Sequence, residues 1–571
     1  MSRFASGMFG LIMSCCWSSM ASAANDPLSV LQTCQELLQP QPSFVLNNQP
    51  EIAAKQIDEL LSPLSRLYFD LFHLSELPSG VGFKQALTRC QIVLGDRLQT
   101  ILLSAPIQAW LPHGLLSSDA DVRQFAQRID ILNQQRLAPQ QKGFLSTLEA
   151  SIHYHLANSD FSLRLDNPQC LALDIRGDNV TGQLAEYLLR EPSSQCRQSS
   201  WTAYQQRAQS RNSQALNALA ALRQTQANEQ GLANYNNLQL LNTPMASEEQ
   251  RRDFIKQASH HPSAMAPWSL YQTLTKQQKS AQSAMSTAII LEAWRHKLTS
   301  LGYQIVGPPH HWQMSYQDRA LGSVMFNGKD QSKTLLHIQS LAARPAQIAQ
   351  VVLDYPININ SWQQVNEVLA VFAQAIVTVS ASSQFSLNNH NELTGEHDFL
   401  AKYWLIKVLT PAYHPWFRIG EREQTLKHYR ENWQLFQAAA IIDFYGDELD
   451  LPTHFNQLFG APWPLADNAF YGISELTSGA SVMTRLWAQA MANYLYQLTP
   501  ACRELADKQM THLLLVNPSH HSLQERLTPL LAPHSLRTLP IGSFYYDNDV
   551  PPQALTRESH LMCTKLRQLR P

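Results

Sequence analysis

Hydrophobic positions recur at helical spacing along most of the chain. Between 52 and 74, Ile57, Leu60, Leu61, Leu64, Leu67 and Phe69 fall one to four apart, a thick stripe of the kind a buried helix presents. Pro63 lies inside that run and is expected to break or kink it. The segments 83–103, 122–136 and 213–226 carry the same pattern and predict helices. Alternation takes over at 161–175, where Phe161, Leu163 and Leu165, then Leu171, Leu173 and Ile175, mark strands. A second strand-like interval, 323–353, sets Val324, Phe326, Leu335, His337, Gln339, Val351 and Leu353 among turn residues such as Asn327-Gly328. Helical spacing returns after Trp362 and holds to Leu498. Within it, Val368, Val371, Phe372, Ala375, Ile376 and Val379 form an apolar face that predicts a buried helix, with Ala373 and Val377 together on another side. Proline pairs at Pro308-Pro309 and Pro551-Pro552, with Pro452, Pro462 and Pro464, mark loops. The pattern is that of a mainly α protein with a small β insert.

Composition narrows the function classes. Lys+Arg is 43 and Asp+Glu is 45 in 571 residues, a net charge of −2 that argues against a nucleic-acid partner. Hydrophobic residues make up 44%, enough for a sizeable core. No stretch reaches the roughly 18 unbroken apolar residues of a membrane span; 368–379 is too short and contains Gln374.

The first 23 residues read as an export signal: Arg3, a short apolar run from Met8 to Met13, and Ala21-Ser22-Ala23 as a small-residue cleavage site. The chain is therefore expected to be exported, in a periplasm-like compartment, with a lipoprotein anchored at Cys15 or Cys16 as the alternative. Six cysteines remain beyond that segment, and an even number in an oxidising compartment suggests disulfides. Pairing nearest neighbours in sequence gives Cys34–Cys90, Cys170–Cys196 and Cys502–Cys563.

Standard catalytic signatures are missing. The sequence has no G-x-S-x-G, no Walker loop, no G-x-G-x-x-G and no H-E-x-x-H. Three stretches nevertheless share a pattern. The first, Asn366-Glu367-Val368-Leu369-Ala370-Val371-Phe372-Ala373-Gln374-Ala375-Ile376-Val377, is followed by Thr394-Gly395-Glu396-His397-Asp398-Phe399-Leu400-Ala401. The second runs from Ser474 to Trp487 and includes Ser478, Gly479, Ala480, Val482, Met483, Arg485 and Leu486. The third contains Asn212 to Leu216, Ala221-Leu222-Arg223-Gln224, Gly231-Leu232-Ala233-Asn234-Tyr235 and Met245-Ala246-Ser247.

In order and spacing these resemble the thimet oligopeptidase / oligopeptidase A family of zinc metallopeptidases. The first resembles the D-E-V-E-T-L-F-H-E-F-G-H helix and the G-T-x-V-x-R-D-F-V-E helix that follows it. The second is similar to H-x-x-G-Y-x-A-x-Y-Y-x-Y-L-W, and the third to N-x-x-x-I…L-R-x-E-x-A-x-L-L-G-Y-x-N-Y-A…K-M-A-S. The resemblance implies a mainly α, two-lobed fold around a deep channel, with a small β insert. After the export signal at 1–23, it divides the chain into an N-terminal helical region at 24–200 and an oligopeptidase-like, inactive catalytic-type region at 201–571.

The same alignment puts Ala373, Val377 and Ala401 at the zinc-ligand positions and Gln374 at that of the catalytic glutamate. Ser474, Ser478, Val482, Met483 and Arg485 stand where the family has the histidine and tyrosines that hold the substrate carbonyl. Alanine and valine side chains have no donor atoms, and glutamine cannot take a proton from a bound water. No cofactor is therefore expected, and the chain reads as an inactive relative that binds a peptide or protein partner. The alternative is an active metallopeptidase-type hydrolase working on short peptides through a rearranged site; a third possibility is a structural subunit with a filled channel. Arg485, Met483 and Ser478 are candidate ligand contacts. The polar segment holding His390, Glu392, Glu396, His397 and Asp398 is a candidate for a different metal, with a solvated acidic loop the plainer expectation. His153 and His155, two apart, suit a strand face.

Overall fold

The stripe at 52–74 folds into one helix that continues through its proline. The computed structural model describes residues 27–36, 44–76, 80–134, 137–157, 163–165, 168–175, 179–241, 243–259, 265–279, 284–330, 333–340, 349–380, 385, 387, 396–413, 416–417, 419–516, 523–531, 536, 539–546 and 556–568. The expected export signal at 1–23, with Cys15 and Cys16, lies outside the described residues, as do His390 and Glu392. Two compact units form. One comprises 1–133 with the returns 337–350 and 382–391, and the other comprises the rest. The described residues between 134 and 200 cluster with the second unit.

The first unit holds α1 Pro27–Glu36, α2 Pro50–Glu76, α3 Val81–Leu102, α4 Ala105–Leu115 and α5 Ala120–Gln134. Ile57, Leu61, Leu64 and Leu71 of α2 pack with Leu87 and Leu94 of α3, Phe125 and Ile129 of α5, and Phe385. Phe385 stacks on Phe125 at 4.7 Å. Pro63 does not break α2, contrary to expectation. Its ring is exposed, as is Glu59 one turn earlier, so water can reach the carbonyl whose hydrogen bond the proline removes. Burial of Leu61 and Leu64 on the opposite side holds the helix together across the gap. The Cys34–Cys90 disulfide joins α1 to α3.

The second unit begins with α6 Pro139–Ala157, which contains both His153 and His155. They lie on a helix, not on a strand face, and being two apart they serve different neighbours. His153 Nε2 meets Thr477 Oγ1 at 2.8 Å, and His155 Nδ1 meets Asn212 Oδ1 at 2.8 Å. The short strands β1 Leu163–Leu165 and β2 Leu173–Ile175 pair antiparallel, as the alternation predicts. Helices α7 Val180–Arg190, α8 Ser194–Gln205, α9 Gln209–Glu229, α10 Tyr235–Gln239, α11 Glu248–Ala258 and α12 Leu270–Lys276 follow. Cys170–Cys196 closes the excursion before α8.

The β insert is larger than the sequence pattern suggests. After β3 Met285–Ser286 and α13 Thr287–Ser300 come β4 Tyr303–Val306, β5 His311–Tyr316, β6 Arg319–Lys329, β7 Leu335–Ser340, β8 Ala349–Pro356 and β9 Asn358–Ile359. Five of them form a sheet in the order β4-β5-β6-β8-β7. Asn327-Gly328 is not a turn: β6 runs through it, and Asn327 Nδ2 donates to Asp354 Oδ1 at 2.9 Å. The tight turn is Gln317-Asp318, where both residues have positive φ (47° and 64°), the geometry that matches strand twist in a two-residue hairpin.

The remaining helices are α14 Trp362–Ser380, α15 Glu396–Leu409, α16 Glu421–Ile442, α17 Leu451–Phe459, α18 Ser481–Gln497, α19 Arg503–Thr511, α20 Leu523–Leu531 and α21 Thr556–Gln568. Cys502–Cys563 ties the entry to α19 to α21. The whole is mainly helical with a small sheet. No helix among the described residues is long and apolar enough to cross a membrane.

Candidate functional site

Helix α14 is fixed at both its start and its middle. Ser361 Oγ accepts from the Gln364 backbone N–H at 3.2 Å, and Gln364 Oε1 accepts from the Asn360 backbone N–H at 2.8 Å, a reciprocal N-terminal cap. Phe372 anchors the middle. It is fully buried, stacks on Trp294 of α13 at 4.9 Å and on Phe326 of β6 at 6.3 Å, and meets Trp312 of β5 edge-on at 6.0 Å. Ala373 is fully buried and Val377 nearly so. The face left partly open runs along Gln363, Glu367, Val371 and Gln374, at helical spacing.

Helix α15 packs against α14 and along α18. Ala401 is fully buried, and the next residue reaches across: Lys402 Nζ donates to Gln374 Oε1 at 3.2 Å. An ammonium group is thereby placed at the glutamine. Lys402 and Tyr403 stay partly open to solvent, yet surrounding atoms desolvate both. Burial, reinforced by the positive charge of Arg485, pushes the Lys402 amine down to about 8. Burial raises the Tyr403 phenol, and Arg485 partly offsets that rise.

Arg485 comes from α18, whose partly open face is Ser481, Arg485 and Gln489. The helix is launched by Gly479, with φ 63° and ψ −153°, a conformation essentially confined to glycine; a Cβ there would also strike the Gln239 side chain. Arg485 is the one charged residue of α18. Met483 is not available to a ligand as the sequence suggested: it is fully buried on the opposite side of α18, and Val482 is buried beside it. Ser474 and Ser478 are exposed. The Ser474 hydroxyl donates to Glu475 at 2.8 Å, and the Ser478 carbonyl accepts from Gln239 at 2.8 Å and from Ser481 at 3.0 Å.

Gln374, Lys402, Tyr403 and Arg485 therefore converge from three helices. Sequence reasoning singled out Gln374 and Arg485 and missed Lys402. The available signal was a lysine inside the apolar run Phe399-Leu400-Ala401-Lys402-Tyr403-Trp404-Leu405. The side chains at 373, 377 and 401 are those of Ala, Val and Ala, which carry no zinc-binding atom. Among the described residues, no group of three His, Cys, Asp or Glu side chains is placed to hold a metal ion. Glu396 and Asp398 act instead on Arg526, which burial brings down to about 10 against their opposing charge. Burial and Arg526 hold His397 well below the usual histidine range, so it is neutral at pH 7.

The third stretch of the resemblance builds clamps. Arg251 and Asp447 form a fully buried ion pair, Nη2 to Oδ1 at 2.7 Å. Asp447 also accepts from Asn234 and Asn236, while Arg251 donates to the carbonyls of Met245 and Ala246. Arg223 donates to the carbonyls of Leu476 and Thr477, which fixes the turn leading into α18.

Against solved structures the likeness is one of fold and spans nearly the whole chain. A protein of Chlamydophila abortus provisionally named a peptidase superposes with a TM-score of 0.57 at 11% identity, covering 95% of this chain and 96% of that one. A protein provisionally named oligoendopeptidase F gives 0.50 at 10% identity, covering 97% and 98%. A Pyrococcus furiosus carboxypeptidase gives 0.50 at 9% identity, covering 90% and 100%. No protein-family model and no curated protein matches the chain by sequence. The mainly helical architecture with its small sheet is that of these peptidases.

Proposed function

We propose that this chain is an exported, catalytically inactive relative of the oligopeptidases that binds peptides, or a protein partner presenting one, without cleaving them. The observation that carries the proposal is the Lys402–Gln374 hydrogen bond beside Ala373, Val377 and Ala401. Zinc hydrolysis requires anionic or neutral donors around a dication and a base that can take a proton from its bound water. Here a cation occupies the neighbourhood, and the residue at the base position is an amide that accepts a hydrogen bond from it. A peptidase architecture with that arrangement keeps a surface shaped for peptides and loses the hydrolytic step. Export is supported by the three disulfides, which persist in oxidising compartments.

The test is elemental analysis of the purified full chain, together with binding and cleavage assays on a mixed library of short peptides. Peptides are expected to be retained intact, with no stoichiometric zinc. Chelator-sensitive cleavage that survives purification to homogeneity would overturn the proposal in favour of a hydrolase with a rearranged site.

A further inference from the structure

Several buried or partly buried cations of the second unit meet carboxylates. Arg251 meets Asp447, Arg223 meets Glu149, Lys297 meets Asp507 and Lys427 lies near Glu431. Lys402 and Arg485 do not. Among the described residues neither has a carboxylate partner, although both are partly buried and the charge of Arg485 reaches the Lys402 amine. Two like charges held together at a partly desolvated place, with no counterion, are unfavourable for the ligand-free fold. The hydrogen-bonding inventory points the same way. Gln374 Oε1 is taken up by Lys402, which leaves the glutamine N–H groups, the remaining ammonium protons and the guanidinium fork. Such a set is made of donors and is completed by an anionic acceptor.

We infer that Gln374, Lys402 and Arg485 form a carboxylate-binding subsite that recognises an acidic group of a bound peptide. A guanidinium fork matches a planar carboxylate through two parallel hydrogen bonds, and the ammonium adds a point charge beside it. Placement on α14, α15 and α18, with α15 packed against both of the others, holds the donors in advance, which limits the ordering entropy of binding. The peptide part of this assignment rests on the function proposed above; the anion part stands on the unpaired cations. The carboxylate can come from the peptide's C-terminus or from an Asp or Glu side chain, and the experiment separates the two sources.

One nonapeptide sequence is prepared in three forms: free C-terminus with a central Gln, amidated with a central Glu, and amidated with a central Gln. Binding of each to the full chain is measured at fixed ionic strength, and glutarate alone is tested by thermal shift. At least one carboxylate-bearing form is expected to bind about tenfold tighter than the neutral form, as a charge-assisted bidentate contact implies. Which form gains identifies the source. The preference is expected to vanish in Arg485→Gln and Lys402→Gln and to survive in Lys402→Arg, with folding of each variant checked by circular dichroism. Glutarate is expected to raise the Tm of the wild type and not that of Arg485→Gln. Peptides that bind equally in all three forms would overturn the subsite and leave peptide binding standing. Glutarate stabilisation of the wild type alone, with no peptide bound, would overturn peptide binding and keep the anion subsite. Failure of both would overturn both.

Discussion

Arg223 and Tyr235 belong to the third stretch of the resemblance, Arg251 lies four residues beyond it, and the two arginines each hold a turn in place. The Arg223 guanidinium lies 4.8 Å from the centroid of Tyr235 and donates to two carbonyls of the turn before α18, while Arg251 grips Asp447 and two further carbonyls. Removing one partner of such a pair leaves a buried charge uncompensated. Asp447→Asn is therefore expected to destabilise the fold by about 3–5 kcal/mol, read from denaturant unfolding. Lys402 differs, because its charge is unfavourable where it is. Its folded-state pKa of about 8 is below that of an unfolded lysine. The fold therefore loses stability as pH falls from the unfolded value through about 8, and below that the penalty is fully present. The groups that face the amine are Arg485 and the uncharged Gln374. Lys402→Met is accordingly expected to raise the Tm at pH 7, with the gain shrinking as pH rises from 8 to 10. An unchanged or lowered Tm at pH 7 would show that the amine is satisfied within the fold.

At the scale of elements, periodicity located the helices because burial imposes it. The apolar face of α14 follows from Val368, Phe372, Ala375, Ile376 and Val379, all buried; Val371, counted in that face, instead lies on the partly open side. What the pattern missed depended on partners distant in sequence. Pro63 is tolerated because it points outward from a well-anchored α2. β5 does alternate, with Trp312, Met314 and Tyr316 buried between polar positions, and with β4 it lies N-terminal to the interval 323–353 that the pattern marked. Tyr303 lies opposite Tyr316, Ile305 opposite Met314, and β6 carries a bulge at Leu321, the residue left unpaired opposite Met314/Ser315 of β5. Phe372 is the point where the sheet, α13 and α14 meet. Truncation there leaves Trp294, Trp312 and Phe326 around a void, so Phe372→Ala is expected to destabilise by about 3–5 kcal/mol. If α14 were held mainly by its caps, the loss measured by urea titration would be well below that range.

Across the whole molecule, architecture was more legible in the sequence than chemistry. Residues such as Phe372, Ala480 and Trp487 match the oligopeptidase pattern and are all buried packing positions. Arg485 reads in isolation as the one charge of α18 and Lys402 as a lysine in the apolar run 399–405, and only the packing of α14, α15 and α18 brings them together. The disulfides were legible for a simpler reason: among the six cysteines beyond residue 23, each one's partner is its nearest neighbour in sequence, with Cα atoms 5.6, 5.7 and 5.8 Å apart. Their contributions should differ. Cross-linking restricts the unfolded chain more as the closed loop grows, and the separations are 26 residues for Cys170–Cys196 and 61 for Cys502–Cys563. In the chain-entropy account these correspond to about 3.5 and 4.3 kcal/mol. Cys502→Ser with Cys563→Ser is therefore expected to lower unfolding stability slightly more than Cys170→Ser with Cys196→Ser. The comparison requires folded protein from each double variant, measured by denaturant unfolding without reductant. The opposite order would show that structure remaining in the unfolded state, or packing around Cys170–Cys196, outweighs loop length.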